Sequence, residues 1–172
     1  MREDHISTDN TVGSRQEPTI QDLAYIAGFL DGDGSIMVQV KRRADAPKGW
    51  RIMVTICLYQ DSRHKAPLVW MRDTLGIGYI SNRNDHITEL RINGYRQVKR
   101  VLTMLQPYIK FKKKQVIFAL RILAHLERKR FALLTKKERL AIADDMIALR
   151  NENYQSHQRQ YTDTVMKEML GF

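Results

Sequence analysis

The segment Leu23–Ile36, LAYIAGFLDGDGSI, decides how this chain folds. At the helical period, one face of the segment carries almost no side-chain volume and consists of Ala24, Ala27, Gly28 and Asp31. A second backbone can approach such a face closely, so we expect a helix built for close packing. Thr19, with Asp22 three residues later, predicts a capping box at the helix start, and Gly32 and Gly34 predict its end.

The acids at the end of this helix predict a cation site. Asp33 is expected just past the helix, where the negative end of the helix dipole disfavours a carboxylate, and a divalent metal is the natural counter-charge. An EF-hand loop is excluded by register, because its first ligand and its bidentate glutamate would fall on Phe29 and Val40. Taken alone, this pattern is common, and a buried amphipathic helix followed by an Asp-Gly turn would be its default interpretation.

Composition points to a globular protein with a polyanionic partner. The chain has 172 residues, of which 43% are hydrophobic, which is consistent with one domain and a sizeable core. Lys and Arg total 29 against 19 Asp and Glu, a net charge of +10, and this balance is typical of nucleic-acid binding. A ribosome-associated or merely soluble basic protein has the same balance. A membrane partner is not expected, because no strongly basic amphipathic helix stands alone.

The cysteine content and the first residues of the chain indicate the cellular compartment. Cys57 is the only cysteine, so no intramolecular disulfide can form and a reducing compartment is expected. Residues 1–18 are polar and slightly acidic, which predicts a flexible arm before a single domain over 19–172. They show no signal or transit peptide pattern, so we expect a prokaryotic cytoplasm or an organelle.

The pattern after the opening segment predicts an α+β fold with an antiparallel sheet. Ser35–Lys41 and Trp50–Tyr59 alternate between apolar and polar residues, which indicates a hairpin with one buried face and one basic face. A second hairpin is expected from Tyr79–Arg83 and Ile87–Ile92. Helices are predicted over Pro67–Leu75, Gly94–Leu105, Phe111–Arg130, Lys136–Arg150 and Thr162–Leu170. A second copy of the opening motif is rejected at 140–146, LAIADDM, which lacks its glycines.

The segment Ile26–Gly34 resembles the motif of LAGLIDADG homing endonucleases. The alternating hairpin, Gln60, Leu75–Tyr79 and Leu105–Lys112 are similar to the compact single-motif branch, and the resemblance runs from about Leu23 to Leu126. It implies an αββαββα fold with a saddle-like DNA-binding sheet and, here, extra C-terminal helices. It also implies a homodimer whose motif helices pack at the dyad, through Ala24, Ala27 and Gly28, with Asp31 near the interface and largely structural.

The resemblance further implies a catalytic centre. Asp33 would hold Mg²⁺ with help from the Gly32 carbonyl, Gln60 would position water, and Lys112 would stabilise charge. The family often has a basic residue four positions after the glutamine. That position is His64 here, between Arg63 and Lys65, and which of these three supplies the charge stays open.

The polar face of the sheet is expected to read DNA, since a two-stranded ribbon fits the major groove. By strand phase, the side chains that would face DNA are Gln39, Lys41, Arg43, Arg51, Tyr59, Arg83 and Arg91. The expected function is a homodimeric, Mg²⁺-dependent endonuclease of intron homing that cuts double-stranded DNA at a long pseudo-palindromic site. A maturase that binds intron RNA and an inactive DNA-binding regulator are the alternatives.

Overall fold

The computed structural model describes residues 17–42, 50–153 and 163–171. A helix followed by a β-hairpin occurs twice in succession, and further helices follow. The elements in chain order are α1 (Ile20–Asp33), β1 (Gly34–Arg42), β2 (Trp50–Asp61), α2 (Ala66–Leu75), β3 (Tyr79–Asn82), β4 (Ile87–Asn93), α3 (Tyr95–Leu105), α4 (Lys113–Arg128), α5 (Lys136–Glu152) and α6 (Asp163–Leu170). The predicted α+β class and element order are confirmed.

The four strands form one antiparallel sheet in the order β1-β2-β4-β3. Ile36 pairs with Ile56, and Leu58 with Leu90, so one face of the sheet is apolar across its neighbouring strands. This face and the inner sides of the helices enclose a single core cluster with members from α1 to α6. The opposite face carries the polar side chains, because successive residues of a strand alternate between faces.

Helix α1 begins as expected and ends later than expected. The Asp22 backbone N–H donates to Thr19 Oγ1 at 3.2 Å, and the Thr19 N–H donates to the Asp22 carboxylate at 3.0 Å, which completes the capping box. The helix continues through Gly32 and Asp33, so Asp33 is its last residue rather than the residue after it. A Cβ on Gly34 would lie 2.6 Å from a Leu30 methyl and 2.8 Å from the Leu30 backbone, so the direct turn into β1 requires glycine.

Three parts of the sequence prediction lie outside the described ranges: residues 1–16 of the expected arm, Arg43, and Thr162 at the start of the last predicted helix. Within the described ranges, no helix is both long and apolar enough to cross a bilayer.

Candidate active site and nucleic-acid interface

Asp31 ties the end of α1 to the start of α4. Its Oδ2 accepts hydrogen bonds from the backbone N–H groups of Lys110 (2.6 Å) and Phe111 (3.1 Å), and its Oδ1 accepts one from the Lys112 N–H at 2.9 Å. A buried carboxylate needs such partners, and free backbone N–H groups before a helix favour negative charge. Helix α4 starts directly after this segment, at Lys113 and not at Phe111 as predicted.

Lys112 supplies positive charge at the same place. Its Nζ donates to the main-chain oxygen of Asp31, in the last turn of α1. An ammonium at a helix C-terminus interacts favourably with the helix dipole. The structure therefore brings Lys112 to the helix end that carries Asp33, although the two residues are far apart in sequence.

Asp33 itself is open. The residue is exposed, and no group in the described part of the chain donates a hydrogen bond to its carboxylate or forms an ion pair with it. Gly32 is also exposed, and a Cβ there would meet no atom within 4 Å. Among the described residues, no group of three or more His, Cys, Asp or Glu side chains could hold a metal.

Gln60 lies at the same end of the sheet. It comes two residues after Leu58, the partner of Gly34 in the last β1–β2 pair, and so beyond the point where α1 leads into β1. Its Oε1 accepts a hydrogen bond from the Asp61 backbone N–H at 2.8 Å, which fixes the side chain at the strand end. The amide side chain is half-buried and close to the surface that water can reach.

The three candidate basic groups after Gln60 differ in their freedom. The Arg63 guanidinium donates to both carboxylate oxygens of Asp61, at 3.0 and 2.8 Å, and these hydrogen bonds hold the pKa of Asp61 well below its usual range. Arg63 is thus engaged in shaping the turn. His64 and Lys65 are exposed in the same turn.

The exposed small residues of α1 differ from those expected. Ala27 is fully buried and Asp31 is 8% exposed, so both face their own chain and cannot form the outer surface of the helix. This corrects the predicted partner-facing set. The small residues that remain exposed are Ala24, Gly28 and Gly32, each four positions after the last, and we call them the small-residue ridge.

The predicted DNA-facing residues divide into free and engaged side chains. Gln39, Lys41 and Arg51 lie on the polar face of β1 and β2, where Lys41 pairs with Arg51 in the ladder. The other described members are held by neighbours: the Tyr59 hydroxyl lies 3.1 Å from Ser35 Oγ, and Arg91 Nη2 donates to Glu89 at 2.9 Å. Arg83 lies in the turn after β3, rather than in the strand, and pairs with Asp85 at 2.7 Å.

The chain matches a known protein family. The family model described as LAGLIDADG endonuclease matches residues 26–125. This chain belongs to the LAGLIDADG endonuclease family. The motif helix, its open Asp33 and the sheet all lie within the matched residues.

Relatives of this family member are similar in sequence over part of their length. The DNA endonuclease I-CreI of Chlamydomonas reinhardtii is 32% identical over 104 residues, which cover 60% of this chain and 63% of that protein. The DNA endonuclease I-CvuI of Chlorella vulgaris is 30% identical over 104 residues, with 60% and 65% covered. The match thus spans less than two thirds of either relative.

Solved structures of LAGLIDADG proteins confirm the fold. I-CvuI in complex with its target in the presence of Ca²⁺ superposes with a TM-score of 0.74 at 22% identity, covering 88% of this chain and 96% of that one. The archaeal intron-encoded homing endonuclease I-Vdi141I complexed with DNA gives a TM-score of 0.74 at 19% identity, with 87% and 94% covered.

Sequence reasoning missed several residues of the polar face of this LAGLIDADG sheet. Glu89 is only 5% exposed there, and Cys57 is fully buried although it lies on the polar side; burial raises the pKa of its thiol. Asn93 links two strands, accepting from Thr55 Oγ1 at 2.8 Å and donating to the Tyr79 hydroxyl at 3.3 Å. The signal that could have found Glu89 is the acid and base two residues apart on one face of β4.

Proposed function

We propose that this protein is a homodimeric, Mg²⁺-dependent endonuclease that cuts both strands of DNA at a long pseudo-palindromic site. The observation that carries the proposal is the end of α1, where an exposed, unengaged Asp33 lies in the same helix turn that binds the Lys112 ammonium. The names of I-CreI and I-CvuI as DNA endonucleases support the same chemistry.

The small-residue ridge supports a dimer built on α1. Added Cβ atoms at Gly28 and Gly32 would meet nothing within 4 Å of their own chain, so the backbone is bare along this face. Two such helices can approach until their backbones touch, which maximises dispersion contacts over a short surface. Packing of two ridges around a dyad would bring the two copies of Asp33 near each other, which one chain alone cannot achieve.

The donor set at the helix end fits Mg²⁺. Asp33 offers a carboxylate and Gly32 a main-chain oxygen at a helix C-terminus, and Mg²⁺ prefers oxygen ligands with only one or two carboxylates. Structures of I-CvuI with DNA in the presence of Mg²⁺ or Ca²⁺ support the use of a divalent cation. When bound, such an ion supplies a more acidic water and neutralises charge on the phosphate.

The chain's own residues supply the remaining functions. Lys112 uses a proton of its ammonium on the Asp31 carbonyl and keeps others for a phosphate or leaving oxygen, because an ammonium carries three donors. Gln60 holds its amide at the strand end, where it can orient water. Asp31 fixes the backbone of residues 110–112 and thereby the position of Lys112.

The free polar and basic side chains on β1 and β2 would place the DNA. Gln39, Lys41 and Arg51 have their side chains on the polar face of the sheet, so they can contact bases or phosphates. The net charge of +10 per chain predicts that binding weakens steeply as salt is raised.

The test is to incubate the purified protein with a randomised duplex library, with and without Mg²⁺, and to sequence the cut ends. We expect discrete double-strand cuts at one extended site, and only with the metal. Sequence-selective binding without cutting would instead identify a DNA-binding regulator. Preference for structured RNA over every duplex would identify a maturase.

A further inference from the structure

Glu89 is in an unusual place for an acid. It lies on the polar face of the central strand β4, between Tyr59 of β2 and Ser81 of β3, and is 5% exposed. A buried carboxylate is costly unless it is paired, and an acid on a face that meets phosphates opposes binding unless its charge is compensated. Its place therefore needs a reason other than solvation.

The partner of Glu89 is Arg91, two residues later on the same face. Arg91 Nη2 donates to both carboxylate oxygens, at 2.9 and 3.0 Å. The side chain of Glu89 is 7% exposed, whereas that of Arg91 is 34% exposed. The acid thus lies beneath the cation, and the guanidinium is the part of the pair that reaches the surface.

Residues of the two neighbouring strands flank Arg91. The register places Arg91 between Cys57 of β2 and Tyr79 of β3. The Tyr79 hydroxyl accepts from Asn93 Nδ2 at 3.3 Å, and Asn93 in turn accepts from Thr55 at 2.8 Å. The two hydrogen bonds to Glu89 hold the guanidinium itself, so Arg91 loses little side-chain entropy when a ligand binds and is pre-organised.

A second ion pair, in the turn of the same hairpin, is exposed where the first is buried. Arg83 Nη2 lies 2.7 Å from Asp85 in the β3–β4 turn, and both side chains are about half exposed, at 49% and 52%. Such an exposed pair has little energetic weight and does not fix the orientation of its arginine. It is therefore a matched control for the buried pair.

We propose that Glu89 is a positioning residue that aims Arg91 at a guanine in each half of the DNA target. The inference rests on the proposed DNA-binding function and adds a specificity determinant to it. Glu89 uses Nη2 alone, so the N–H groups of Arg91 Nη1 stay free to donate to the O6 acceptor of guanine in the major groove. Because the carboxylate is buried beneath the guanidinium, it acts through Arg91 and does not itself contact DNA.

The test uses binding rather than cutting, so that it does not depend on the metal site. Protein is incubated with a randomised duplex library in EDTA, bound duplexes are sequenced, and the base preference at each position is compared among variants. For the wild type we expect one strong guanine, repeated symmetrically in the two half-sites. Arg91→Ala should reduce that preference by about tenfold to a hundredfold, with other positions unchanged.

Glu89 variants test the positioning role. Glu89→Gln should weaken the preference for the same guanine, and Glu89→Asp, which keeps the charge, should restore part of it. Asp85→Asn, the matched change in the exposed pair, should leave this guanine unaffected. Thermal unfolding checks that each variant is folded; if Glu89→Gln does not fold, Arg91→Lys should keep affinity yet lose the guanine preference, because a lysine is a point charge.

Three results would overturn the inference. A uniform loss of affinity over all sequences in Arg91→Ala would show a phosphate contact. An unchanged guanine in Glu89→Gln would show that the acid does not aim Arg91. In both cases the proposed function stands if the wild type selects a site, whereas a wild type that binds every duplex equally removes the proposed function as well.

Discussion

Helices α1 and α5 begin alike and use their acids differently. Each starts with a capping box, Thr19 with Asp22 and Thr135 with Glu138, and each carries small and apolar residues next to two acids. In α5 both acids are paired: Asp145 with Arg121 at 2.9 Å, and Asp144 with Lys167 at 3.6 Å. In α1 the buried acid accepts hydrogen bonds from the segment before α4, and Asp33 is left open.

The small residues of the two helices also differ in their exposure. Ala143 of α5 is fully buried in contact with its own core, whereas Ala24, Gly28 and Gly32 of α1 face outward with no covering atoms at the glycines. An acid next to an apolar run is therefore ordinary packing when it falls within a helix. It stays open to solvent when it is the last residue of the helix and glycines leave the surface around it bare, as at Asp33.

The largest expected effect comes from the open acid. Asp33→Asn should lower the rate of double-strand cleavage by at least about a thousandfold, because an amide is a poor ligand for a hard cation and provides no charge. Binding to the same duplex should change little. The paired change in α5, Asp144→Asn, should leave cleavage unaffected, and single-turnover cleavage with Mg²⁺ measures both. Wild-type cutting by Asp33→Asn would remove the metal role from this residue.

The ridge should determine the oligomeric state. Gly28→Leu places a large side chain on a surface meant for backbone contact, and overpacking of this kind should weaken the dimer by about tenfold to a hundredfold in Kd. Lys137→Leu adds the same side chain to an exposed position of α5 and should not change association. Sedimentation over a range of protein concentrations separates the two. An intact Gly28→Leu dimer would place the interface elsewhere.

The buried acids of the two helices should differ in their effect on stability. Asp31→Asn leaves three backbone N–H groups with fewer acceptors and should lower the free energy of unfolding by about 1–3 kcal/mol. Asp145→Asn should cost less, under about 1 kcal/mol, because its partner Arg121 is 60% exposed. Urea denaturation measures both changes. Equal losses would mean that the link between α1 and α4 has no special weight.

Much of this fold could be predicted because its boundaries coincide with glycine and proline. Helix α2 ends at Leu75, as predicted, since Gly76 adopts a left-handed conformation with φ of 66°. Strand alternation gave the pairing of β1 with β2 and their polar face. The predicted end of α1 was wrong, because the helix also includes Gly32 and Asp33. A glycine lowers helix propensity without forbidding the helix.

Other features depend on tertiary contacts that no local pattern records. Ala24, Ala27 and Gly28 are all small, so the helical period alone cannot tell which of them lies against the core. The hydrogen bonds from residues 110–112 to Asp31 join groups about eighty positions apart in the sequence. The Asp33–Lys112 proximity was available only through family resemblance.

The smallest expected effect is a difference in pH dependence between two acids of α5. Burial, opposed in part by Arg121 and His125, raises the pKa of Asp145, so the folded chain binds this proton more tightly than the unfolded chain. Stability from this site therefore falls as pH rises above the usual carboxyl range. Hydrogen bonds with Thr135 lower the pKa of Glu138, so its contribution is present above the usual glutamate pKa and is lost as pH falls.

Urea midpoints from acid to neutral pH distinguish these opposite signs. Relative to wild type, Asp145→Asn should gain stability as pH rises, because it no longer carries a charge that burial disfavours. Glu138→Gln should instead lose stability over the same range, since the capping-box carboxylate is missing. If the stability of both variants relative to wild type shifts in the same direction, the acids of α5 do not divide into a buried, unfavourable charge and a favourable cap. The contrast between α5 and the open acid of α1 would then rest on exposure alone.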